Sequence, residues 1–228
     1  MIEQLKINKM KNLNYKTMRK LVFTMLMLMT LSLSAQVKFM GIPVDGTKSE
    51  MIAKLKQKGF TLSKDPFFEG HDMLEGEFNG RLVYVSVVTN NNKVYRVFVQ
   101  DQMTMNETDI KIRFNTLVGQ FMLNKKYLSH KNDQSLGEDF DISYEMDVNN
   151  KRIEASFSQK LSEEEIQYLI DNIPELKESD PEMQTSLIEL ATYMSNSVWF
   201  TISKASYNKY VIALYYDNLK NAPNGDDL

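Results

Sequence analysis

The sequence predicts an α+β fold of two helix-plus-antiparallel-sheet units, residues 36–104 and 105–221, with a helical insertion at 162–196 in the second. Three observations predict it. Capped apolar-periodic stretches open near Thr47 and Asn106, alternating apolar runs follow each, and an acidic helical stretch interrupts the second set of runs.

Residues 1–35 come first. Lys11, Lys16, Arg19 and Lys20 precede the apolar run Leu21–Leu33 and then "SAQ". This is the layout of a secretory signal peptide, cut between Ala35 and Gln36, with Leu33 and Ala35 in the two specificity positions. A membrane anchor is the rival reading. Thirteen residues of helix reach only about 20 Å, short of a hydrocarbon core of about 30 Å, so the segment reads as cleaved. No cysteine follows it, which excludes lipoprotein anchoring through one. The start stays open between Met1, Met10 and Met18, and the expected location is the periplasm or the exterior.

In the first unit, Thr47 with Glu50 has capping-box spacing, Met51, Ile52 and Leu55 form a short apolar face, and Gly59 is a left-handed stop. Three strands follow. "MLEGEF" leads into the hairpin pair Asn79-Gly80, "RLVYVSVV" alternates, and "NNNK" turns into "VYRVFVQ". Strict alternation there places Val94, Arg96 and Phe98 on one side, with Tyr95, Val97 and Val99 on the other.

The second unit opens with a helix over about 106–125, on the periodicity of Ile110, Phe114, Leu117, Val118 and Phe121. "DFDISYEMDV" then reads as a strand, turning at Asn149-Asn150 into "KRIEASFS". The insertion holds two helix starts, Ser162 with Glu165, and Ser179-Asp180-Pro181-Glu182. Pro174 separates the helices, and Met183, Leu187, Leu190 and Met194 share a face. The last strands, "VWFTIS" and "KYVIALYYDN", are joined by "KASYN", and 222–228 reads as a disordered tail.

Composition narrows the chemistry. Six Lys/Arg and one Glu fall in residues 1–35, so 21 basic and 29 acidic residues remain beyond it, a net charge near −8. That disfavours nucleic acid and anionic membranes, which need clustered cations. There is no cysteine, so disulfide scaffolds, thiol nucleophiles and thiolate metal sites are excluded, and stability rests on a core.

"DGTKSEMIAKLKQKGF" resembles the helix start of small bacterial envelope proteins in the beta-lactamase-inhibitor-like group, which includes outer-membrane assembly lipoproteins of the SmpA type. Gly46, Thr47, Ile52, Leu55 and Gly59 match its outline, in which a Gly-Thr or Gly-Met pair precedes a short helix ending at glycine and an antiparallel sheet follows. The "GIPVDGT" stretch and the leader ending "SLSAQ" also look like uncharacterised secreted proteins of Bacteroidetes-type bacteria. The resemblance implies a helix-on-sheet fold and carries over no functional residues. Residues 162–196 and the missing paired cysteines depart from the secreted inhibitors.

Catalytic patterns are sparse. Ser206 to Lys209 has the Ser-x-x-Lys spacing of penicillin-binding enzymes, but that serine must start a helix, and here the four residues read as a hairpin turn. Glu69, Asp72, Glu75 and Glu77 surround His71, yet alternate side chains diverge along such a segment, so a solvated loop is the reading. No Gly-x-Ser-x-Gly elbow or glycine-rich phosphate loop occurs, and "NET" at Asn106 reads as a helix cap. The expectation is no catalysis, no cofactor and no metal.

The remaining feature is aromatic. Trp199, Tyr207, Tyr210, Tyr215 and Tyr216 are the candidate binding residues. Along the last strand Tyr210, Ile212, Leu214 and Tyr216 share one side, and Val211, Ala213 and Tyr215 the other. Two readings stay open: a sheet packed on its helices with tyrosines at the margin, or an aromatic face gripping a protein or peptide. The expected partner is therefore a protein or peptide, with no nucleic acid and no transmembrane anchor once the leader is removed. Alternatives are an envelope assembly or structural component docking through 162–196, and a hydrolase with an unorthodox site.

Overall fold

The computed structural model describes residues 37–68 and 70–223, apart from the side chains of residues 194–196. Residues 1–36, Glu69 and the residues beyond Pro223 lie outside the described residues, and with them the expected leader, its cut site and the expected disordered tail. Two compact units are present, one of residues 37–160 and 193–223, the other of residues 161–192.

The larger unit is α+β. A small hairpin of β1 (Lys38–Phe39) and β2 (Ile42–Pro43) leads to helix α1 (Lys48–Gln57). Then come β3 (Thr61–Leu62), β4 (Leu74–Phe78), β5 (Arg81–Asn90) and β6 (Lys93–Asp101), followed by α2 (Glu107–Leu123). After α2 come β7 (Tyr127–Ser129), the short helix α3 (Ile142–Asp147) and β8 (Glu154–Gln159); β9 (Asn196–Ser206) and β10 (Lys209–Asn218) close the unit. Strands β3 to β10 form one antiparallel sheet in the order β3-β4-β5-β6-β10-β9-β8-β7. The pairing of β10 with β6 joins the strands of both predicted runs into that single sheet.

Local chemistry sets the boundaries. Thr47 and Glu50 complete a reciprocal capping box at α1, and Gly59, with φ of 95°, takes the left-handed turn that ends it. Asn79-Gly80 and Asn91-Asn92 turn their hairpins with φ of 52° and 71°, and 48° and 62°, matching strand twist. Tyr207-Asn208 turns β9 into β10, so Ser206 and Lys209 are paired strand ends.

One sheet face carries the core. Val85, Val97, Phe200, Ile212 and Leu214 lie under Met51 and Leu55 of α1 and Phe114 and Phe121 of α2. Phe121 stacks on Phe157 at 4.8 Å, and Phe114 meets Phe200 edge-on at 5.1 Å. Gly76 in β4 lets the buried Phe60 ring close: a Cβ there would lie 2.6 Å from the ring. Gly76→Ala is expected to cost about 1–3 kcal/mol by overpacking, read as a lower urea midpoint with unchanged slope.

Side-chain amides pair with backbone peptides outside the strand ladders. Gln159 Oε1 accepts from Lys38 N at 2.6 Å and its Nε2 donates to Lys38 O at 3.1 Å. Gln134 does the same for Ser156, at 2.9 Å both ways, and Asn115 for Leu136, at 2.8 and 2.9 Å. Each such pair satisfies backbone groups that would otherwise stay unmade.

Two expectations are corrected. "DFDISYEMDV" holds a helix, α3, and not a strand. Asp141 caps it by accepting from Tyr144 N at 2.7 Å, and Glu107 accepts from Ile142 N at 2.7 Å. Ile142 and Met146, four apart, pack on the core, whereas the alternation of Phe140, Ile142, Tyr144 and Met146 imitated a strand. In β6, Val88 pairs with Arg96 and Thr89 with Val94, so Tyr95 is an extra residue in a β-bulge. The bulge resets the alternation: Val94, Val97 and Val99 all enter the core, and Arg96 with Phe98 takes the other face.

The smaller unit consists of α4 (Glu163–Asn172), α5 (Pro174–Lys177) and most of α6 (Pro181–Ser195). Ser162 and Glu165 form a second capping box, and Asp180 accepts from Met183 N at 3.0 Å to start α6. Leu161, Leu169, Ile173, Leu176 and Leu187 make its core, with Met183 partly buried against them, while Leu190 is exposed. Pro174 opens α5 at its first position.

Candidate functional site: an aromatic and arginine ladder on the sheet

The sheet face opposite α1 and α2 carries the site, and strand register builds it. One cross-strand row runs Ser156, Trp199, Tyr215, Phe98 and Ser86 across β8, β9, β10, β6 and β5. The next row holds Ser158, Ser197, Asp217, Arg96 and Val88. Directly paired positions bring side chains close enough to stack.

They do stack. The Trp199 and Tyr215 rings lie 3.8 Å apart at 10°, and Phe98 leans on Tyr215 at 5.2 Å. Asp217 is the hub beneath them. Its carboxylate accepts from Arg96 Nε at 2.6 Å, from Arg96 Nη2 at 2.8 Å and from Trp199 Nε1 at 2.9 Å. Arg96 in turn lies 5.0 Å from the Tyr215 ring centre. On the far side, the Arg152 guanidinium sits 4.4 Å over Trp199 and its Nε meets Glu154 Oε2 at 2.8 Å. The sequence across the face is thus Arg152, Trp199, Tyr215, Arg96.

Electrostatics keep these groups in fixed states. Hydrogen bonds donated to Asp217 push the Arg96 guanidinium further above its already high range, so it stays charged. Burial pushes the Tyr215 phenol up, so it stays protonated. The arrangement offers flat aromatic surface beside fixed cations, chemistry suited to binding and orienting a partner.

The five candidate residues separate. Trp199 and Tyr215 come together on this face, half-buried. Tyr207 stands alone at the β9–β10 turn, 85% exposed. Tyr210 and Tyr216 are core residues, 0% and 3% exposed, and no partner reaches them. The Tyr210 hydroxyl bonds Ser143 Oγ at 2.8 Å, and Ser143 donates to Glu107. Tyr216 packs edge-on against Phe39 at 5.1 Å, and burial drives its phenol well above the usual range. The alternation along β10 was right; the helices cover the Tyr210/Tyr216 side. Arg96, Phe98, Arg152, Glu154 and Asp217 were missed. The bulge hid the parity of β6, while Asp217 shares parity with Tyr215, a signal available in the sequence.

Among the described residues, no group of three or more His, Asp or Glu side chains gathers to hold a metal ion. The acids around His71 are engaged apart, Asp72 with Lys48 at 3.0 Å and Glu75 with Ser63 at 2.9 Å. Two open clefts, of about 450 and 370 Å³, adjoin that Lys48–Asp72 pair. His130 Nε2 meets Ser158 Oγ at 2.8 Å, but Ser158 is fully buried and cannot meet a substrate.

His130, an exposed residue whose ring is only partly covered, should affect stability modestly. Burial lowers its pKa below the ordinary value of 6.5, so the folded protein binds that proton less tightly than the unfolded chain. Its contribution is full above about pH 6.5 and falls as pH drops through the lower folded value. The native protein should lose more melting temperature between pH 7 and 5 than His130→Gln; parallel pH–melting curves would contradict this.

No family model, curated protein or solved structure matches this chain.

Proposed function

We propose that the protein is an exported, non-catalytic binding protein that takes a protein or peptide partner on the sheet face centred on Trp199 and Tyr215. The Trp199–Tyr215 stack, pinned by Asp217, carries the reading. A large aromatic surface fixed before binding loses little side-chain freedom on contact, and Trp, Tyr and Arg are the side chains that dominate interface energies. Export rests on the leader at residues 1–35. The resemblance of the α1 start to envelope proteins agrees with that location.

The test compares tagged native protein with Trp199→Ala and Tyr215→Ala in pull-downs from envelope and culture fractions. A specific partner should be held by the native protein and lost from both variants. Absence of any specific partner, or equal retention by folded variants, defeats the reading. Mass spectrometry of the exported chain should find its N-terminus at Gln36.

A further inference from the structure

We propose that the outer face of Trp199 is a guanidinium subsite, and that an arginine of the partner takes the place Arg152 occupies. This rests on the binding reading above and names the partner's chemistry: an extended segment bearing arginine.

Arg152 shows what the subsite accepts. The indole stacks on Tyr215 at 3.8 Å and carries the Arg152 guanidinium at 4.4 Å, with Arg96 more distant at 5.7 Å. Glu154 completes the subsite by accepting from that guanidinium at 2.8 Å. A planar group that stacks on an aromatic face while its edge meets a carboxylate fits guanidinium and not a rounded ammonium. The indole cannot turn away, because its N–H is donated to Asp217 at 2.9 Å.

The present occupant is exchangeable. The Arg152 and Glu154 side chains are 58% and 45% exposed, and exposed ion pairs are weakly held. Arg152 lies ahead of β8, whose pairing with β9 begins at Glu154, so withdrawing it breaks no sheet hydrogen bond. Asn150, with φ of 51°, turns the chain two residues earlier. Charge favours the exchange: the chain carries a net charge of −3, more acidic beyond the leader, and draws cationic partners toward it.

Trp199 is the only tryptophan, so its fluorescence reports directly on the subsite. The probe is the blocked peptide acetyl-Arg-Val-Arg-Val-Arg-amide, which puts its arginines on one side of an extended strand, compared with its lysine counterpart. Saturable change in Trp199 emission is expected. Arg152→Ala should tighten arginine-peptide binding about two- to fivefold by removing the internal competitor, with Arg152→Lys in between. Glu154→Gln should weaken it, and calorimetry on Trp199→Phe should show reduced affinity. Circular dichroism confirms that each variant is folded. Unchanged or weaker binding by Arg152→Ala overturns the proposal, as does equal binding of the lysine peptide, or tightening only toward a neutral aromatic peptide. If the natural partner is still lost with Trp199→Ala while these fail, only the guanidinium assignment falls. If Trp199 is dispensable for the partner, both readings fall.

Discussion

Replacing Arg113 with alanine should lower the stability of the protein by about 3–5 kcal/mol. Arg113 on α2 and Asp101 at the end of β6 are 7% and 5% exposed. Two hydrogen bonds join them, Nε to Oδ2 at 3.1 Å and Nη2 to Oδ1 at 3.3 Å. Removing the guanidinium strands a buried carboxylate without its counter-charge, and that penalty exceeds the net worth of the pair. The double variant Arg113→Met/Asp101→Leu should therefore recover most of the loss, since apolar side chains of similar volume need no partner. Urea unfolding with a constant slope measures both. A single-variant loss under about 1 kcal/mol would contradict the account.

Asp217→Asn should have the second-largest effect, about 2–4 kcal/mol. The carboxylate serves Arg96 through both oxygens and Trp199 through one of them. An amide has one acceptor oxygen, and its NH2 group would face a guanidinium that also only donates. Arg96 is 30% exposed, so water recovers part of its loss and the cost should fall short of that at Arg113. Trp199 emission should shift as the indole N–H loses its acceptor, and partner capture should weaken even where the variant remains folded. Native-like emission with native-like stability would show that Asp217 does not hold the ladder.

Much of this architecture is legible from local chemistry. Thr47 with Glu50 and Ser162 with Glu165 form the capping boxes that their spacing announces, because a cap needs only residues three apart. Asn79-Gly80 turns its hairpin because both residues tolerate positive φ. Residues 162–196 likewise stood out by acidity and helical period, and 161–192 is a unit with its own core. The failures arose where a distant group decided. Residues 140–146 alternate like a strand, but Glu107, far earlier in the chain, accepts from Ile142 N and Ser143 Oγ and supports α3. Tyr95 reads as one more alternating residue, and only the pairing of β6 with β5 makes it a bulge.

The site divides along the same line. The sequence by itself determined most element types, though not the helix at Ile142–Asp147, together with the caps and turns, the acidic balance, the absence of thiol chemistry and the parity that separates Tyr215 from Tyr210 and Tyr216. Those properties depend on neighbours a few residues away and on side-chain periodicity. Tertiary structure alone decided which parity the helices cover, and so which aromatics are buried. It also decided which residues meet: Arg96, Trp199 and Asp217 lie on three strands, and register brings them to one carboxylate. Register is a property of paired strands, fixed by packing across the whole sheet, and no single strand contains it.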